Sequence, residues 1–487
     1  MLSKSFLALF LLFFNLSQTM AQHLQAGFDK QEYIEMLKVS AAFGDSTYVA
    51  SFPKPGQYKF VYRSPVVGLD NRWDLWVNEH KTAVISLRGT VGTSVSWLAN
   101  FYAAMVPATG ELTLSNTEKF VYRLAENPRA AVHVGWLVST AFLSKDILPK
   151  MDSCYKAGTK DFIILGHSQG GAISYLMTSY MNQLQKEGRL PADIRFKTYG
   201  SAASKPGNLY YAYEFEALTQ NGWAFNVVNT SDWVPEVPLS VQTVNDFNKS
   251  NPFTNVKKIL NKQKFPVNLA LRYAFNRMDK PSRRAQRNYQ KYLGKMTSKM
   301  VRKTLTEFEP PAYFPSNDYV RVGRTIVLAG DSTYRKLYVD DGKNIFVHHL
   351  HPPYLYLAEK LDLSPDKTRV SMEETNLTGS WELVYITGKR IAFDGLYPEK
   401  KPMILFDPEN QRISGNTSCN SFTGKLNRTG NKLSFLEPTA MTKMFCPGEG
   451  EQTFIETLKT VTSFNFDTYD ELSFKAGDVT VMRFKRK

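Results

Sequence analysis

Apolar residues recur at helical spacing between Asp29 and Phe43, where Ile34, Met36, Leu37 and Ala41 share a side, and this predicts an opening helix. Lys59 to Arg63 and Trp73 to Val77 alternate as strands do, and Ala83 to Leu87 is a short buried-strand run ending at Arg88-Gly89-Thr90. Further strands are expected at Phe162 to Leu165, Phe196 to Tyr199, Phe225 to Val228 and Ile345 to Val347, with helices at Gly170 to Leu184 and Tyr354 to Leu361. Strands alternating with helices imply a mostly parallel central sheet covered on both faces, an α/β core.

Past Leu361 the pattern lapses into the polar stretch Ser364-Pro365-Asp366-Lys367, read as a linker over 363–376. Beyond it the period changes to two: Trp381 to Ile386, Met403 to Phe406, Lys432 to Phe435, and a hairpin-like pair, Glu471 to Phe474 with Val479 to Phe484. One helical pattern, carrying Phe454, Leu458 and Val461, interrupts them. The expected architecture is an α/β domain over 22–362 and a small β-rich domain over 377–487.

Lys4, the apolar run Phe6 to Phe14 and the small-residue ending at Ala21 have the three-part layout of an export signal over 1–21. With no cysteine near Ala21 to accept a lipid, the expectation is a secreted or periplasmic protein rather than a lipoprotein. The three cysteines fit no zinc spacing, and no metal or cofactor is expected. In an exported protein Cys419 and Cys446 are free to pair, which leaves Cys154 as a buried, inert thiol. Charge is concentrated: residues 251–305 hold fifteen Lys and Arg against the single acid Asp279, so they carry +14 of the chain's +15.

The segment Gly166-His167-Ser168-Gln169-Gly170 follows a strand and opens a helix. That context makes it a nucleophile elbow, in which a strained turn lifts a serine hydroxyl clear of the sheet. A serine needs a base and an acid to orient that base, and in hydrolases of this kind the chain order is Ser, acid, His. Asp232, directly after the strand Phe225 to Val228, is the acid candidate, with Glu236 as its rival. Three histidines, His348, His349 and His351, offer a base, and pattern alone does not choose among them.

Together these segments resemble the class 3 lipases. The resemblance rests on Val84-Ile-Ser-Leu-Arg88-Gly89-Thr90, Ser96-Trp97-Leu98-Ala99-Asn100, Val132-His133-Val134-Gly135-Trp136, Pro206-Gly207-Asn208, Asn229-Thr-Ser-Asp232-Trp-Val234-Pro235 and His351-Pro-Pro-Tyr354. It implies an α/β-hydrolase fold over about 29–361, with a triad of Ser168, Asp232 and His351, and oxyanion donors at Thr90 and Gln169. It makes His133 structural and puts a lid helix at Trp97. The substrate it implies is a lipid ester, cleaved by a lipase or esterase.

The interval from Asp232 to His351 is longer than that family usually has, and the excess is the basic insertion 251–305. There Tyr289, Tyr292, Leu293, Met296 and Met300 fall at helical spacing among cations, which suits either an anionic lipid surface or a solvated cap helix packed on the core. A helical stripe is not a stacking platform, so nucleic acid is not an expected partner.

Leu377-Thr-Gly-Ser-Trp381, the run Ser414 to Gly424 and Ala440-Met-Thr-Lys-Met444-Phe-Cys446 resemble the META domain, a bacterial β-rich module without catalytic residues to carry over. The competing reading of the whole chain is a non-catalytic envelope or anionic-surface binding protein that uses the hydrolase fold as a scaffold.

Overall fold

The computed structural model describes residues 23–362, 377, 379–388, 392–407, 410–435, 440–468 and 471–487. The expected leader 1–21 and linker 363–376 lie outside the described residues. The chain divides into two compact units after Leu361.

The central sheet of the first unit has seven strands: β1 (Tyr58–Arg63), β2 (Trp73–Asn78), β3 (Thr82–Leu87), β4 (Asp161–His167), β5 (Arg195–Ser201), β6 (Ala224–Asn229) and β7 (Arg324–Leu328). Their spatial order follows the chain. The pairs β1–β2 and β2–β3 are antiparallel, and the four pairs from β3 to β7 are parallel. Strands buried on both faces need no polar side, which is why β3 and β4 read as continuous apolar runs.

Side chains alternate across the sheet. Phe162 and Ile164 join a core with Leu137, Ile173 and Leu176, under helices Val134–Lys156 and Gln169–Lys186. Ile163 and Leu165 join another with Tyr33, Leu37 and Tyr354, under helices Lys30–Ala41 and His351–Lys360. Asp29 caps the first of these, accepting the Glu32 N–H at 2.8 Å.

One expected strand is corrected. Ile345 to Val347 forms turns, because Asp341 Oδ1 accepts the Lys343 N–H at 2.9 Å and Asn344 Oδ1 accepts the Phe346 N–H at 3.1 Å. Side-chain acceptors of this kind give the backbone an alternative to a sheet ladder. The seventh strand is Arg324–Leu328 instead. The helix expected from Tyr354 begins at His351, since Pro352 falls in the first turn, where an N–H has no intrahelical partner to lose. The basic insertion is helical from Val267 to Thr304, with a π-helical stretch over Tyr289–Met296 between α-helices.

Among its described residues, the second unit is an antiparallel ten-stranded sheet with one longer helix, Gly450–Lys459, around a core that includes Trp381, Phe454, Phe474 and Phe484. Cys419 and Cys446 form a disulfide. Cys154, in the first unit, is free and half-buried, and burial pushes its thiol pKa up. No helix among the described residues is long and apolar enough to cross a membrane.

Candidate active site

Ser168 sits between the end of β4 and the first residue of helix Gln169–Lys186, at φ 60° and ψ −128°. A side-chain-bearing residue held in such a region costs about 1–3 kcal/mol, which the surrounding strand and helix must offset. The two flanking glycines allow the turn: a Cβ on Gly166 would strike the backbone of Gly170, and one on Gly170 would strike the Leu87 carbonyl. Ser168 is the one partly exposed residue in the otherwise buried run 161–177. Gln169 opens the helix, so its N–H has no intrahelical acceptor and the positive end of the helix dipole lies beside the serine.

Thr90 follows β3 in a loop clipped by Asp70, which accepts from Arg88 Nη2 at 3.0 Å and from the Thr93 hydroxyl. Asn100, on helix Ser94–Phe101, joins the two expected oxyanion donors. Its Nδ2 donates to Thr90 Oγ1 at 2.9 Å, which leaves the threonine proton to point elsewhere, and its Oδ1 accepts from Gln169 Nε2 at 2.8 Å and from Trp136 Nε1 at 3.1 Å. The Asn100 carbonyl in turn accepts from His133 Nε2 at 3.1 Å. His133 is fully buried and stacked on Trp136, and burial pushes its pKa down to about 3, so it serves as a neutral donor in the framework.

The three clustered histidines have three different environments. His349 Nδ1 lies 2.8 Å from Asp232 Oδ2, and both side chains are buried. The same carboxylate oxygen accepts from the Tyr354 hydroxyl at 2.8 Å, while Oδ1 accepts the Val234 N–H at 3.0 Å. His348 Nδ1 pairs with the Tyr334 hydroxyl at 2.7 Å. The rival acid Glu236 is exposed.

His351, the base implied by the resemblance, does not meet Asp232. Its Nε2 lies 2.9 Å from Ser40 Oγ and its Nδ1 3.0 Å from the Tyr48 hydroxyl. Because the Ser40 hydroxyl donates to the Leu37 carbonyl at 2.9 Å, Ser40 Oγ accepts from His351 Nε2–H, and Nδ1 accepts from Tyr48. Both ring nitrogens are thereby committed, and burial pushes the pKa to about 3. The physical reason is position. His351 begins a helix packed on Lys30–Ala41, whereas His349 lies in the preceding turn, which faces Asp232.

His167 fixes that turn beside the elbow. Its Nε2 donates to the His349 carbonyl at 2.7 Å, and its Nδ1 lies 3.0 Å from Ser201 Oγ, to which the Tyr33 hydroxyl is bonded at 2.8 Å. Burial holds His167 well below the usual imidazole range, so it stays neutral, and its ring centroid is 5.1 Å from that of His349. Asn229 adds a second tie, donating from Nδ2 to the His348 carbonyl at 2.9 Å. Among the described residues neither Ser168 Oγ nor His349 Nε2 makes a hydrogen bond.

An aromatic rim borders the site: Trp97 and Phe101 stack on helix Ser94–Phe101, and Phe346 touches Trp97, Trp233 and His349. Sequence reasoning offers His349 beside His348 and His351 without assigning it to Asp232, and it misses His167 and Tyr354 as groups bonded to this pair. The one available signal was that His167 fills the variable place inside the elbow motif, next to the nucleophile. Among the described residues, Cys419, Cys446 and Glu451 alone cluster as a metal would need, and the two sulfurs are already bonded to each other.

An α/β sheet with a strained serine elbow, a helix amino terminus and an aspartate–histidine pair beyond its parallel strands has the parts of a serine hydrolase site. Residues 84–242 match the class 3 lipase family, and residues 375–487 match the META domain. The secreted mono- and diacylglycerol lipase 1 of Fusarium solani is 28% identical over 162 residues, which is 33% of this chain and 40% of that protein. The chain therefore matches well under two thirds of that relative's length. The triacylglyceride lipase of Rhizomucor miehei is 19% identical over 44% of this chain and 77% of its own, with a TM-score of 0.33. The Lip2 lipase of Yarrowia lipolytica is 18% identical over 45% and 77%, also at 0.33.

Proposed function

We propose that the first unit is an exported hydrolase of the α/β-hydrolase type that cleaves carboxylic esters of lipids through Ser168, His349 and Asp232. The observation that carries this reading is the buried Asp232–His349 hydrogen bond beside the strained Ser168 elbow. The Asp232 carboxylate holds His349 with Nδ1 protonated, which leaves Nε2 as the base. Ser168 Oγ attacks the acyl carbonyl as His349 Nε2 takes its proton. The tetrahedral oxyanion is met by the Gln169 N–H and by the N–H and hydroxyl of Thr90, which Asn100 holds in place. His349 then protonates the leaving alcohol, and water, activated by the same imidazole, releases the fatty acid. Family resemblance over 84–242 supports a lipid ester as substrate.

The test is hydrolysis by the purified full-length protein of an acyl-chain ladder of p-nitrophenyl esters and monoacylglycerols. Turnover is expected on the wild type, with a loss of about 10⁶-fold in Ser168→Ala. Equal rates in the two proteins would overturn the reading.

A further inference from the structure

The fold treats the two halves of the basic insertion differently. From Gln286 onward the helix is rooted. Gln286 and Gln290 donate to the carbonyls of Pro315 and Phe314, the Tyr289 hydroxyl donates to the Leu239 carbonyl at 2.7 Å, and the Leu293 carbonyl accepts the Ala104 N–H at 3.1 Å. Val301 is buried in the core of the first unit. This half is the packed cap helix that the sequence allowed.

The half before it is not packed. Among the described residues, no hydrogen bond or ion pair runs from residues 256–280 to the body of the unit, and none of their apolar side chains enters a hydrophobic core. Pro281 marks the junction, since it lacks the N–H that would bond the Arg277 carbonyl.

The free half is amphipathic. Val267, Leu271, Ala274, Phe275 and Met278 recur at i, i+4, i+7, i+8 and i+11 and so form one stripe, while Arg272, Arg277, Lys280, Arg283 and Arg284 take the other faces. Most of the stripe is open to solvent: Val267 is 50% exposed, Leu271 42% and Met278 69%, and Phe265 just before the helix is 78% exposed, while Phe275 is half-buried. The single acid, Asp279, is already bonded to Arg283 at 2.8 Å, so it leaves the surface cationic. Cations continue along the rooted half, where Lys295, Lys299 and Arg302 line an open cleft.

From these observations we infer that residues 256–280 form an arm that lies on an anionic lipid bilayer. Val267, Leu271, Phe275 and Met278 enter the acyl boundary, and the flanking Lys and Arg meet lipid phosphates. An apolar stripe without a protein partner and a net charge of one sign are complementary, together, to a surface that is both apolar below and anionic above. A nucleic acid would match the charge and leave the stripe in water. The rooted helix Thr297–Thr304 packs on helix Ser94–Phe101, so the arm is tied to the element that borders the candidate site.

The experiment is co-sedimentation of the full-length protein with vesicles of phosphatidylcholine alone and of phosphatidylcholine with phosphatidylglycerol. Binding is expected only to the anionic vesicles, and it should weaken as salt rises. Combining Arg272→Glu, Arg277→Glu and Lys280→Glu should lower affinity about a hundredfold. Leu271→Ser with Met278→Ser should lower it about tenfold or more. Both variants should keep the wild-type thermal midpoint, because among the described residues their side chains join no hydrophobic core and make no bond to the body. Equal binding to both vesicle types, anionic binding untouched by both variants, or binding of a DNA oligonucleotide without binding of vesicles would overturn the inference. None of these readouts uses ester hydrolysis, so failure of the arm and failure of the Ser168 reading are separable.

Discussion

Replacing His349 with alanine is expected to lower kcat on a short, soluble p-nitrophenyl ester by about 10⁶-fold, as loss of the base does in a serine hydrolase. Without the imidazole, Ser168 keeps its proton at neutral pH, and only binding and the oxyanion donors remain. His351→Gln is the matched control. His351 gives both ring nitrogens to Ser40 and Tyr48, and its replacement leaves buried polar groups short of a partner, at a cost of about 1–3 kcal/mol in stability. Its kcat should stay within about tenfold of wild type, since the group that moves the proton is intact. The two variants, folded and assayed side by side, separate the roles: an inactive His351→Gln with an active His349→Ala would reverse the assignment.

The second large effect concerns stability. The Cys419–Cys446 disulfide closes a loop between residues 27 apart in sequence, which by loop-closure entropy is worth about 3.5 kcal/mol. Among the described residues, the end of the segment it tethers is otherwise held by the two-residue strand Ala440–Met441, which pairs with Ser421–Lys425, and by hydrogen bonds of Thr442 with Ser421 and Asn420. Met441, Met444 and Phe445 are exposed, and the side chain of Asn420 supplies its main polar anchors, accepting the Met444 N–H at 2.8 Å and donating to the Met444 carbonyl at 3.1 Å. Replacing both cysteines with serine should therefore lower the unfolding midpoint of the second unit by more than about 10 °C, followed by calorimetry of the full chain. An unchanged calorimetric trace would show that the segment is held by Asn420 and its neighbours alone.

Much of this architecture is legible from pattern. Apolar runs buried on both faces announce β3 and β4, and the glycines of the elbow report a strand, a turn and a helix that pass too close for a Cβ. Asp232 is found because it directly follows a strand of the same sheet. What pattern does not carry is the direction in which a turn points. Ile345-Phe346-Val347 has the composition of a strand, yet Asp341 and Asn344 supply side-chain acceptors that close turns there, while the true seventh strand, Arg324–Leu328, is largely exposed and lacks the continuous apolar run of its neighbours. The same limit governs the histidines. His349 and His351 are two residues apart and would share a face on a strand. The chain instead passes from turn to helix between them, so one meets Asp232 and the other Ser40. The spacing from His351 to Tyr354 does not bring His351 to Asp232 for the same reason: the Tyr354 hydroxyl reaches Asp232 directly, while His351 turns to Ser40. The basic insertion shows a third limit: its helical period is plain, but whether a stripe is packed depends on partners distant in sequence, here Pro315, Leu239 and Ala104.

The most direct measurement is covalent labelling of the full-length protein with a fluorophosphonate probe, located by peptide mass spectrometry. One adduct is expected, on Ser168, absent from Ser168→Ala and formed at least about a thousandfold more slowly in His349→Ala, whose nucleophile has lost its base. An adduct on another residue, or labelling of Ser168 at the same rate in wild type and His349→Ala, would contradict that expectation.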